Sequence, residues 1–228
     1  MRGMSVASSP RPMMFDMDEI ILPTPAPPFA WRATAWGPAL ICAPIERIAG
    51  HVFTTRQWAL GQPRTKESGW QDVAAAMQVD PSRVVRAEQV HGCGVLVGDS
   101  AMPPSSRADI IVVRDPTKAA AVRAADCAPL VIVDTGTGAV AAAHAGWRGM
   151  ALRVPAVAVE AIVRTGGSRP ADLLVAIGPS IGACCYEVGP ESGVGSLIGR
   201  QATPAIRRGG AWRPPPGLDT GISTGGPP

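Results

Sequence analysis

Between residues 84 and 143 the sequence keeps returning to one theme: short β-branched or small apolar runs, separated by turn residues. The runs cover 84–90, Val95–Val97, Ile110–Val113, 119–122, 130–133 and 140–143. Runs this short and this apolar predict buried strands, because branched side chains pack well on a pleated surface. A chain with this middle has to build a strand-rich core. Two further strands are predicted at Ala39–Cys42 and 51–55, and 70–77 predicts a helix that stops before the Asp80-Pro81 turn. A second helix is predicted over 156–164, with Pro155 in its first turn and Gly166-Gly167 just past its end. The run Leu173–Ile177 predicts another strand, leading into Gly178-Pro179-Ser180-Ile181-Gly182, whose glycines permit a tight backbone path beside a pocket. Strands interleaved with a few helices predict an α/β or α+β class.

A chain of 228 residues can bury a sizeable core as one domain. Its 24 prolines and 26 glycines exceed average usage and predict long irregular segments. Residues 23–28 (PTPAPP) predict an extended linker, and residues 204–228 hold 12 Pro plus Gly among 25, without apolar periodicity. The expected organisation is a disordered segment over 1–30, a catalytic domain over 31–190, and an atypical, disordered or truncated end over 191–228. No internal repeat supports a solenoid or propeller.

Several function classes drop out. The net charge is +3 and no run of five basic residues occurs, which excludes an electrostatic footprint for nucleic acid. Arg123, Asp126 and Asp134 interrupt the most apolar region, so no membrane span is predicted. Asp16, Asp18 and Glu19 break up the first 22 residues, which do not read as a signal peptide. Five cysteines without a secretory signal read as reduced thiols or ligands, which predicts a cytoplasmic protein acting on small molecules.

The chain has only three histidines. His91 lies in Gln89-Val90-His91-Gly92 and His144 opens His144-Ala145-Gly146-Trp147-Arg148-Gly149; between them Cys127 sits in Ala125-Asp126-Cys127-Ala128-Pro129. Each falls at the end of a predicted strand or in the following turn, where side chains from different parts of a sheet converge. Two imidazoles and a thiolate suit zinc, and three protein ligands leave one coordination position open for water or substrate. A His2Cys set also suits a single copper centre, whereas a multicopper cluster needs more imidazoles than three. The 36- and 17-residue separations form no compact pair. Spacing therefore leaves open that Cys127 is a small buried hydrophobe and the histidines are hydrogen-bonded near strand ends. Asp126 reads either as the acceptor that orients a ligand histidine or as a turn residue. His51 reads as structural, Cys184 and Cys185 as pocket packing, and Glu187 as a candidate acid or base.

Four motifs in order, Gln89 to Gly92, Ala125 to Pro129, His144 to Gly149 and Gly178 to Gly189 (GPSIGACCYEVG), resemble the family called purine nucleoside phosphorylase, laccase-domain protein, polyphenol oxidase or peptidoglycan editing factor. Residues 51–56 (HVFTTR) resemble its opening strand, and the resemblance runs from Gly50 to Pro190. It implies a layered α/β/β/α arrangement of mixed sheets, with zinc held by His91, Cys127 and His144. It also implies phosphorolysis of adenosine, inosine and S-methyl-5'-thioadenosine, together with deamination of adenosine. Phosphate then needs cationic partners; Arg148 and Arg56 are the candidates, with Gln89 as a further substrate contact, and Cys127, His144, Arg148 and Asp126 form the expected catalytic set. One alternative is a hydrolase with Cys127 as nucleophile and His144 as base, acting on peptidoglycan precursors. A second is a zinc-binding protein left inactive because residues 191–228 lack the strand, helix and Arg-containing segment with which the family continues.

Overall fold

The computed structural model describes residues 21–58, 60, 66–99, 106–182 and 184–186. The chain divides into two compact units, Met1–Pro81 and Ser82–Pro228.

In the first unit three antiparallel strands, β1 (Phe29–Arg32), β2 (Ala39–Cys42) and β3 (Phe53–Thr54), form one sheet in the order β1-β2-β3. All four residues of central β2 are buried, as its unbroken apolar run requires. The strand expected over 51–55 shortens to two residues, because His51 turns its ring inward: Nε2 accepts the Cys42 amide at 2.8 Å and Nδ1 faces the Ala49 carbonyl at 3.3 Å. Strand β1 was not expected. Its residues alternate between half-buried and exposed directly after a proline run, and it begins two residues before the domain start expected at 31. After the one-turn helix α1 (Ala43–Glu46), helix α2 (Lys66–Ala76) buries Trp70, Val73 and Ala74, the three- and four-residue spacing of one helical face.

The second unit is organised by a five-stranded mixed sheet. Its strands are β5 (Val95–Val97), β6 (Ile110–Val113), β8 (Ala128–Asp134), β9 (Val140–Ala145) and β10 (Leu173–Ile177), in the spatial order β10-β8-β9-β6-β5. Only β5 and β6 run parallel. A short parallel pair, β4 (Val84–Val85) with β7 (Ala119–Ala120), stands apart from it. The strand expected over 84–90 therefore ends after two residues, because its partner offers only two.

Alternation along β6 sorts the core into two faces. Ile110 and Val112 join Leu130, Ile132, Ala141 and Ala143 under helix α4 (Val154–Gly166), which contributes Val154, Val157, Ala158, Ala161 and Ile162. Ile111 and Val113 point the other way and pack with Val85 of β4, so one helix, the large sheet and the small strand pair form three successive layers. Each fully buried branched side chain contributes about 1.5–3 kcal/mol. The expected helix over 156–164 extends to Gly166, and Gly167 takes the left-handed cap at φ 68°. A short helix that the sequence did not announce, α3 (Trp147–Ala151), follows β9 directly. Among the described residues no helix is long and apolar enough to cross a membrane.

Candidate metal centre

Strand register explains how residues far apart in sequence meet. Strand β6 pairs antiparallel with β9 through Ile110 and Ala143. One step further along, Asp109 faces His144, and the His144 amide donates to the Asp109 carbonyl at 2.8 Å. Both side chains lie on the face away from α4, because their neighbours Ile110 and Ala143 lie under it. Strand β8 pairs with β9 through Ala128 and Ala145, which sets Cys127 opposite Gly146 and on the face of His144. His91 arrives from the turn between β4 and β5, in a left-handed conformation at φ 58°.

The ligand atoms of His91, Cys127 and His144 lie within 4.8 Å of one another. The two imidazoles meet edge to face at 4.8 Å between centroids. Tetrahedral zinc places such atoms roughly 3.5 Å apart, so side-chain rotations of about 1 Å would bring all three onto one ion. The donor set fits a single borderline-soft cation. His144 is buried, Cys127 half-buried and His91 exposed, so the cluster opens on one side. Burial, then the carboxylates of Asp126 and Asp109, pushes the Cys127 thiol up. A cation in the cluster would oppose that trend, since the thiolate is the ligand form.

Two residues that sequence reading missed shape the cluster. Asp109 is completely buried; its Oδ1 takes the His144 Nδ1 at 2.8 Å and the His91 amide at 3.0 Å, and its Oδ2 takes the amides of Val90 at 3.2 Å and Gly92 at 2.7 Å. The available signal was an acid placed directly before a fully apolar strand, a position where a charge stays only with partners. Gly146 is the second. A Cβ there would stand 2.8 Å from the Cys127 Sγ and 3.1 Å from the His91 ring, so the cluster needs glycine opposite the thiol.

The other expected site residues are placed as follows. Asp126 is exposed, and the acceptor that orients His144 is Asp109, not Asp126; the Asp126 carbonyl instead receives the Ile181 amide at 2.9 Å. Gln89 clamps the Arg123 backbone, donating to its carbonyl and accepting from its amide, both at 2.7 Å. That clamp ties the His91 turn to the segment that leads into Cys127. Arg148 is exposed on α3, its guanidinium 4.3 Å from the Trp147 ring centroid. Arg56 is exposed in a 3-10 turn of the first unit. Cys184 and Cys185 are exposed rather than packed, with sulfurs 3.1 Å apart. Glu187 and the remainder to 228 lie outside the described residues.

The chain is a mixed α/β protein whose larger sheet carries, at its strand ends, a His-Cys-His cluster that could hold a metal ion. The family described as multi-copper polyphenol oxidoreductase laccase matches residues 61–203, and the chain belongs to that family. Over 120 residues it is 40% identical to a protein named purine nucleoside phosphorylase SCO2081 from Streptomyces coelicolor, covering 52% of this chain and 49% of the relative. It is 35% identical over 128 residues to a protein named adenosine deaminase RL5 from an unknown prokaryotic organism, covering 52% and 48% respectively. The chain thus spans about half the length of these relatives. The crystal structure of hypothetical protein YfiH from Bacillus licheniformis is similar with a TM-score of 0.53 and 28% identity, over 62% of this chain and 56% of that one.

Proposed function

We propose that this chain binds one zinc ion through His91, Cys127 and His144 and uses the site for phosphorolysis of purine nucleosides. The carrying observation is the convergence of those three ligand atoms beside an opening to solvent. The names of relatives, purine nucleoside phosphorylase and adenosine deaminase, supply the substrate class. In the reaction a phosphate oxygen bonds to the anomeric carbon, the glycosidic bond breaks, and the purine leaves with a proton. A bound zinc would supply Lewis-acid charge at the position its three protein ligands leave open. Copper also suits the donor set, but three histidines in the chain do not supply a multicopper cluster, which favours the single-ion reading.

Arg148 is the first phosphate contact in this reading. Its exposed guanidinium lies 4.3 Å from the Trp147 ring centroid, four residues on from His144, and its planar fork can grip an anion at two points. Asp126 is proposed as the exposed acceptor beside Cys127 for a substrate hydroxyl. Gln89 acts through its backbone clamp. Adenosine, inosine and S-methyl-5'-thioadenosine are the proposed substrates, with adenosine deamination as a second activity of the same site. Five free thiols fit a reducing, cytoplasmic setting.

A second reading, a cysteine hydrolase, has one observation in its favour: His144 stands between Cys127 and Asp109 in the order nucleophile, base, orienter. The raised thiol weighs against it, since a nucleophilic cysteine needs a stabilised thiolate. Chromatography of adenine and inosine formed from adenosine, with and without phosphate, separates the readings. Phosphate-dependent adenine that disappears in Cys127→Ala supports phosphorolysis. Product formed equally without phosphate favours hydrolysis, and no product from a folded, zinc-loaded chain leaves a binding protein. In the first case Arg148→Ala should raise the KM for phosphate roughly tenfold, the loss of one charge-assisted contact.

A further inference from the structure

We infer that Asp109 is the positioning residue of the metal site, a single carboxylate that sets the geometry of both histidine ligands; the inference rests on the metal reading above. Its Oδ1 is shared by the two: the His144 ring donates from Nδ1 at 2.8 Å and the His91 backbone donates at 3.0 Å. Both oxygens already accept backbone amides, so toward His144 the carboxylate acts as an acceptor, which fixes the ring proton on Nδ1 and leaves the Nε2 lone pair for the cluster. The same group explains the unusual backbone of His91. Three successive amides, from Val90, His91 and Gly92, close around one carboxylate, and the left-handed φ of 58° at the middle residue is what makes them converge. This is a backbone nest holding an anion, here an internal one. A non-glycine residue in that conformation persists only where its surroundings hold it.

The assignment separates the three ligands. The histidines are tied to each other through one buried oxygen, whereas Cys127 has no bond to that carboxylate and is placed by β8, which begins at the next residue. Loss of the carboxylate should therefore disturb the histidines and leave the thiolate able to bind. Asp109→Asn keeps the shape but brings an NH2 group, which can donate to Nδ1 and move the ring proton to the nitrogen that should face the metal.

Two measurements test this. In the wild-type chain, nitrogen-15 NMR of the His144 ring should show a proton on Nδ1 both without metal and with zinc, and zinc should shift Nε2. In Asp109→Asn, zinc affinity measured by chelator competition should fall roughly 10- to 100-fold. The cobalt-loaded variant should keep its thiolate charge-transfer band while its ligand-field bands change. A proton on Nε2 in the wild type overturns the inference, as does an unchanged zinc affinity in a folded variant. The NMR arm needs no variant, so it decides the matter even where Asp109→Asn fails to fold. Failure of the wild type to bind zinc at all would instead sink the metal reading on which the inference rests.

Discussion

The two compact units each bury a histidine against a strand, and the two rings do opposite things. In the first unit His51 commits both nitrogens to backbone, Nε2 to the Cys42 amide and Nδ1 to the Ala49 carbonyl. In the second, His144 commits only Nδ1, to Asp109, and its other nitrogen joins a cluster with a thiol and a second imidazole. Burial does not separate them, since both are under a tenth exposed. The difference lies in the hydrogen bonds: the ring with both nitrogens satisfied is held as structure, and the buried ring with only Nδ1 committed is the candidate ligand.

Substitutions at Cys127, His144, His51 and Gly146, together with a change of pH, test this contrast. The largest effect is expected from Cys127→Ala or His144→Ala, each of which should weaken zinc more than about 100-fold, because two ligands rarely retain what three hold. His51→Ala should leave zinc affinity unchanged, and chelator competition on all three variants checks the pair of statements. That same His51→Ala change should cost the first unit about 1–3 kcal/mol in denaturant unfolding, since the buried Cys42 amide loses its acceptor. Gly146→Ala comes next, with a roughly tenfold weaker site, because the new Cβ meets the Cys127 Sγ at 2.8 Å and one of the two must move. Cobalt spectra would show a distorted thiolate band, and an unaltered spectrum would mean that the β9 turn yields freely.

The smallest effect concerns pH. Burial lowers the His51 pKa from its ordinary 6.5, with a weaker upward pull from the Ala49 carbonyl and a downward push from Arg32. The unfolded chain then binds more protons than the folded one as pH falls below about 6.5. The His51 contribution to stability is thus present above that pH and lost as the solution is acidified. Unfolding midpoints at pH 7.5 and 5.5 should differ in the wild type and differ less in His51→Gln.

Strands β2, β5, β6 and β10 were legible residue for residue, because each is an unbroken apolar run bounded by turn residues. The second helix was legible from Pro155 and the paired glycines, whose second member caps it. Strand β1 was not, since Phe29-Ala30-Trp31-Arg32 carries a half-buried pattern too short to rise above its proline-rich surroundings. All three candidate ligand positions could be read as strand-end or turn residues, but spacing alone could not bring them together; the antiparallel registers of β6, β8 and β9 set Cys127 and His144 on one face. Asp109 escaped for a related reason. In one dimension it is an acid before a strand, and only the pairing across to β9 shows that it faces His144.

The cluster of His91, Cys127 and His144 is proposed to hold one metal ion. X-ray absorption at the zinc edge of the loaded chain tests it most directly. One sulfur and two imidazole nitrogens should coordinate the ion, with the sulfur lost in Cys127→Ala. A shell without sulfur, or one that keeps its sulfur in that variant, would contradict it.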